Sequence, residues 1–154
     1  MMITLPRFVL LGASILLARQ ALVAANDSVV VVANSSAPVA SIAPDDLRDI
    51  FLGTQHSLSN GSKVTPVLLK SGPTHELFLK SYLGKSVEGF RTWWLQLVFT
   101  GQGLLPKTFV SEAELVEYVG RTRGAVGYAT RASVRGSVKC IPVSSEHHSA
   151  GGVP

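Results

Sequence analysis

The tetrapeptide Ser71-Gly72-Pro73-Thr74 is the part of this sequence best equipped for chemistry. It follows the strand-like run Val64-Thr65-Pro66-Val67-Leu68-Leu69 and opens a helical pattern. At such a junction unpaired backbone N–H groups and the helix dipole face an anion. The hydroxyls of Ser71 and Thr74 would add two donors, so the chemistry predicted here is oxyanion binding rather than catalysis. The competing reading is that Ser71 or Thr74 simply caps the helix that follows. Thr100-Gly101-Gln102-Gly103 forms a second donor-rich loop, and its alternative is a tight helix C-terminal turn. Lys70 and His75 flank the first loop.

Other reactive groups carry less. The sequence has no His-Glu-x-x-His, no Gly-x-Ser-x-Gly, no Walker phosphate loop and no Cys-x-x-Cys, so hydrolase, NTPase and redox chemistry have no motif to stand on. His56 and His75 are isolated in sequence and read as surface or loop residues. His147 and His148 are adjacent in a Ser/Gly-rich end that offers a metal no rigid frame. Trp93 and Trp94 suggest a stacking platform, but Trp94 falls on an apolar helical stripe and reads as core. Cys140 is the single cysteine, which excludes an intramolecular disulfide, and its strand-like surroundings mark it as a small buried hydrophobe. No catalytic residue, metal or cofactor is expected.

The elements that must position these residues alternate between strand and helix. Ser28 to Asn34 contains an unbroken β-branched run, which predicts a strand buried on both faces and a central, parallel place in a sheet. Pro44 sits at a first helical position, followed by Asp45 and Asp46, with Leu47, Ile50 and Phe51 on one face and Gly53 as the stop. A second strand spans 63–69. One helix is predicted from Thr74 to Leu83, with Leu77, Phe78 and Tyr82 inward, and another from Ser86 to Phe99, with Val87, Phe90, Trp94, Leu97 and Val98 inward. Ser111 and Glu114 form a capping box ahead of Leu115, Val116 and Val119. Ala125 to Ala129 and Val138 to Val143 read as the last strands. This order predicts an α/β domain.

Composition sets the broader bounds. The 154 residues are 46% hydrophobic and 16% charged, with a mean hydropathy of +0.31, enough apolar surface for a core in one domain. The excess is concentrated at the start, where Arg7 precedes the apolar run Phe8 to Ala18 and Ala21, Ala24 and Ala25 follow. The run ends at Arg19 and Gln20, short of the ~20 residues needed to span a bilayer, and reads as a signal peptide over 1–25 cleaved after Ala25. Losing Arg7 and Arg19 takes the net charge from +4 to +2, too mild for a nucleic-acid partner. Residues 26–144 then form the domain and 145–154 a flexible tail.

Several segments together resemble a family. They are Asp46-Leu47-Arg48-Asp49-Ile50-Phe51-Leu52-Gly53, Val64-Thr65-Pro66-Val67, and His75-Glu76-Leu77-Phe78 with Tyr82-Leu83-Gly84. Trp94 with Phe99-Thr100-Gly101, Pro106, and Arg123-Gly124-Ala125-Val126-Gly127-Tyr128 complete the set. The chain resembles the small, single-domain relatives of the phosphate-binding proteins of ABC transporters, within the type II periplasmic binding protein fold. The resemblance implies one binding-protein-like α/β lobe, a mostly parallel sheet flanked by helices, in an exported, non-enzymatic protein. It implies phosphate or a similar oxyanion as ligand, at Ser71, Gly72 and Thr74 with a contribution from Thr100 and Gly101. A membrane transporter or envelope receptor would be the partner, and a homodimer is open as a substitute for a second lobe. Pro73, which lacks an N–H, and the short chain support a second reading, a ligand-free envelope interaction or sensor-accessory protein.

Overall fold

The computed structural model describes residues 28–144; the expected signal peptide and the expected tail over 145–154 lie outside them. The elements are β1 (Val29–Asn34), α1 (Pro44–Phe51), β2 (Thr65–Leu69), α2 (Pro73–Phe78), α3 (Val87–Phe99), β3 (Lys107–Phe109), α4 (Glu112–Arg121), β4 (Ala125–Thr130) and β5 (Val138–Ile141). The five strands form one open sheet in the order β3-β2-β4-β1-β5. β2 is parallel to β3 and to β4, whereas β1 is antiparallel to β4 and to β5.

The α/β lobe is therefore as the sequence implies, and the direction of β1 is a correction. Val31, Val32 and Ala33 are buried, because α4 covers one face of the sheet and α2 the other. An unbroken β-branched run reports burial on two faces, and antiparallel strands covered on both sides satisfy that equally well. β3 is a second difference. Its three residues carry no strand pattern of their own and become a strand by pairing with Val67, Leu68 and Leu69.

Successive side chains of a strand point to opposite faces, and β4 shows what lies on each. Gly127 faces α4, where an added Cβ would stand 2.7 Å from the Leu115 side chain and would have to push it aside. Tyr128 faces the other way and stacks on Phe78 of α2, ring centroids 3.8 Å apart, with Phe51 of α1 edge-on to Phe78 at 4.8 Å. α1 and α2 thus share one face and α4 holds the other. α3 covers α1: Trp93 Nε1 donates to the Leu52 carbonyl at 2.8 Å and Trp94 Nε1 to the Phe51 carbonyl at 3.2 Å. Buried Asn34 ties α4 to the sheet by donating to the Val119 and Gly120 carbonyls at 3.1 and 2.8 Å.

Two expected helix faces shift. Past Phe78 the chain widens into a π-helical turn over Leu79–Leu83, with Lys85 N–H bonding back to the Leu79 carbonyl. Leu79 and Leu83 are buried with Phe78, while Leu77, two residues from each of the buried His75 and Leu79, falls on the opposite side of the helix and is exposed. On α3, Phe90, Trp94 and Leu97 are buried as expected, but Val87 is exposed beside Leu95 and Phe99. Cys140 is half-buried rather than buried.

Candidate functional site

β2 and β3 are parallel neighbours whose C-terminal ends feed helices on opposite faces: β2 leads into α2, β3 into α4. The space outside the carboxyl ends of strands at such a reversal is the usual ligand crevice of an open α/β sheet. Both helix N-termini border it. Thr74, in the first turn of α2, meets Glu112, the first residue of α4, with Thr74 Oγ1 donating to Glu112 Oε1 at 2.5 Å. β4, on the far side of β2, brings Thr130, whose N–H and hydroxyl both donate to Glu112 Oε2 at 2.9 and 2.7 Å. The Ser133 hydroxyl lies 3.0 Å from the Thr130 hydroxyl. Burial works to raise the Glu112 pKa, but the hydroxyls of Ser133, Thr74 and Thr130 and the Thr130 N–H outweigh it, leaving the carboxyl below its ordinary value.

The structure thus places Thr74 in a cluster of donors that converge on one anionic group. Ser71 is exposed at the rim. Gly72 is the N-cap of α2 at φ 111°, a backbone conformation suited to glycine, and its carbonyl accepts from Glu76 N–H at 3.1 Å. Pro73 takes the first helical position, where its missing N–H interrupts no helical bond. Neither Ser71 nor Thr74 caps the helix by its side chain. Thr100 behaves differently. Its hydroxyl donates to the Gln96 and Leu97 carbonyls at 2.9 and 3.1 Å, making it the C-terminal turn of α3. Phe90 on the same helix lies beside His75, and Thr100 stands ten residues further along, roughly 15 Å at 1.5 Å per residue. The fold separates the Thr100-Gly101 loop from Ser71, Gly72 and Thr74.

Glu112, Thr130 and Ser133 are the polar residues of the crevice that sequence reading missed. Glu112 reads as an ordinary acid in a first helical turn and Thr130 as a strand end; only the pairing of β2 with β3 and β4 brings them to Thr74. His75 is a correction of another kind. It is buried at 4% exposure, and Tyr128 Oη accepts from Leu69 N–H at 3.0 Å and shares a hydrogen bond with His75 Nδ1 at 2.5 Å. The two bonds anchor the last residue of β2 directly beneath the loop. Burial raises the Tyr128 pKa, opposed by the Leu69 bond, so the phenol stays protonated. Burial lowers that of His75, with Glu76 opposing.

A pH dependence follows. The unfolded chain takes up protons at His75 from the ordinary value of 6.5 and at Glu112 from 4.5, while the folded chain does so only at lower pH. Stability is therefore full above 6.5 and declines in two stages as pH falls below each value. Melting temperatures measured from about pH 7.5 to about pH 5.5 should fall for the native chain and stay flatter for His75→Gln. Equal slopes would remove His75 as the cause.

Among the described residues no cluster of three or more His, Cys, Asp or Glu side chains could hold a metal, and no helix is long and apolar enough to cross a membrane. No family model matches the chain, and no curated protein matches it by sequence. Solved structures do. An ABC-type phosphate transport receptor from Vibrio cholerae aligns over 79% of this chain and 48% of its own, at 18% identity and a TM-score of 0.59. A Clostridium perfringens structure described as a phosphate ABC transporter substrate-binding protein with bound phosphate aligns over 76% and 45%, at 16% identity and a TM-score of 0.60. PstS from Borrelia burgdorferi aligns over 79% and 49%, at 16% identity and 0.56. The chain spans about half the length of these proteins. The likeness is one of fold: the described residues form a small α/β domain that shares its fold with about half of each of these phosphate-receptor structures.

Proposed function

We propose that the protein is an exported, non-enzymatic solute-binding-like protein that takes phosphate or a similar oxyanion in the crevice between β2 and β3 and serves phosphate uptake with a membrane transporter. The observation that carries this reading is the convergence of the Thr74 hydroxyl, the Thr130 N–H and hydroxyl and the nearby Ser133 hydroxyl around one carboxylate, beside Ser71 and Gly72. A set of donors that accommodates a two-oxygen anion fits an oxyanion by the same geometry. Thr100 and Gly101 are left aside.

Ser71 is exposed and Thr74 and Glu112 are half-buried, within reach of water, and among the described residues no lysine or arginine pairs with Glu112. Phosphate should therefore bind more weakly than ~1 μM, since each missing charge-assisted bond removes about 1.5–3 kcal/mol. Calorimetric titration with phosphate and sulfate tests this. The double variant Ser71→Ala with Thr74→Val should abolish the binding and keep the fold; binding that survives it would place the site elsewhere.

The second reading, an envelope interaction protein without ligand, has its own observation. α3 is apolar on its outward side as well, with Val87, Leu95 and Phe99 four or eight residues apart, and the following loop adds Leu104 and Leu105. Phe99 is 85% and Leu104 89% exposed, a patch of the kind that marks contact surfaces. Absence of any oxyanion binding at millimolar concentration would decide for this reading.

A further inference from the structure

We infer that the Glu112 carboxylate is an internal occupant of the oxyanion crevice, which an incoming oxyanion must displace. The inference rests on the oxyanion reading and adds to it what holds the site closed. Two independent features point to the same place. α2 and α4 leave the sheet on opposite faces here, the position at which an open α/β sheet ordinarily takes its ligand. The side-chain geometry puts Glu112 there: Oε1 takes the Thr74 hydroxyl, and Oε2 takes both the N–H and the hydroxyl of Thr130.

The donors come from three separate elements, the β2–α2 junction, the end of β4 and the short helical turn Arg131–Ser133 that follows it, and among the described residues none of them pairs with another acid. Glu112 itself belongs to a fourth, α4. With Glu112 in place these donors are spent; with Glu112 swung out toward solvent they face an open, positively polarised crevice. An oxyanion binds the open form only, so its apparent affinity is its intrinsic affinity reduced by the fraction of molecules in which Glu112 is displaced. Glu112 is half-buried at the surface end of its helix, so its side chain has somewhere to go.

Glu112→Asp is the decisive variant. It keeps the charge and the acid at the helix N-terminus, but it is one methylene shorter and cannot reach Thr74 and Thr130 together. Glu112→Ala empties the crevice altogether. Phosphate titrated into the purified native chain and the two variants should bind each variant at least about tenfold more tightly than the native chain. Glu114→Ala, which removes an exposed acid two residues along the same helix, should leave the affinity unchanged. In the Glu112→Ala background, Thr130→Val should cancel most of the gain, because it removes a donor that the oxyanion takes over. Melting curves confirm folding, and if Glu112→Ala does not fold, Glu112→Asp decides alone.

Affinity that is unchanged or weaker in the folded Glu112 variants, with the native chain binding, overturns the inference and leaves the oxyanion site standing. A gain equalled by Glu114→Ala also overturns it, since bulk charge would then be the cause. Failure of native chain and variants alike to bind phosphate at millimolar concentration overturns both.

Discussion

Replacing Trp94 by alanine should destabilise the protein by ~3–5 kcal/mol, the cost of emptying a large aromatic site in a packed core. Trp94 is buried, with its ring edge-on to Phe90 at 6.4 Å between centroids. It lies so close over Gly53 that a Cβ there would stand 2.5 Å from the ring. Its Nε1–H satisfies the Phe51 carbonyl at the end of α1, so truncation opens a cavity and also leaves a helix-terminal acceptor unpaired. Trp93 is the internal control. It is half-buried, donates to the Leu52 carbonyl, and carries Lys85 Nζ 5.3 Å from its ring centroid on the solvent side. Trp93→Ala should cost less than Trp94→Ala in a urea titration. Equal, small losses at both positions would mean that neither ring is core and that the pair is a surface platform.

Replacing Tyr128 by phenylalanine should cost ~2–4 kcal/mol although it removes a single oxygen. The stacked contact with Phe78 is kept by the phenylalanine ring, so packing changes little. What is lost is the hydroxyl that serves two buried groups at once, accepting from Leu69 N–H and sharing a hydrogen bond with His75 Nδ1. Each is then left inside the protein without a partner, at about 1–3 kcal/mol apiece. The effect should reach the crevice as well, because Leu69 is the last residue of β2 and the loop bearing Ser71, Gly72 and Thr74 starts from it. Amide exchange of Leu69 and Lys70 should accelerate in Tyr128→Phe by more than global destabilisation explains. A loss of stability under about 0.5 kcal/mol, within the range of an ordinary surface change, would show that water replaces the hydroxyl.

The helices were legible because their signals are local. Pro44, Asp45 and Asp46 mark the start of α1, and Ser111 does cap α4, its hydroxyl accepting from Glu114 N–H at 3.2 Å. The inward residues Leu47, Ile50 and Phe51, and Leu115, Val116 and Val119, follow from helical periodicity alone and are all buried. The Ser71-Gly72-Pro73-Thr74 junction was legible for the same reason, since a strand, a turn and a helix start leave their marks within a few residues. Leu77 is the exception: it stands two residues from each of the buried His75 and Leu79, so helical periodicity puts it on the opposite side, and its apolar type alone suggested the core.

By itself, then, the sequence determined the alternation of strands and helices, the caps, most of the core and the loop at which donors gather. Each of these depends on neighbours within about two helical turns. The tertiary structure alone decided the rest. It set the direction of β1, made a strand of Lys107–Phe109, turned His75 inward to a tyrosine 53 residues away, and brought Glu112 to Thr74 across 38 residues. Those outcomes rest on which strands pair and on which face each helix leaves the sheet. A carboxylate in a first helical turn looks the same in sequence whether it faces water or fills a crevice, because its partners are chosen by the sheet and not by the residues beside it.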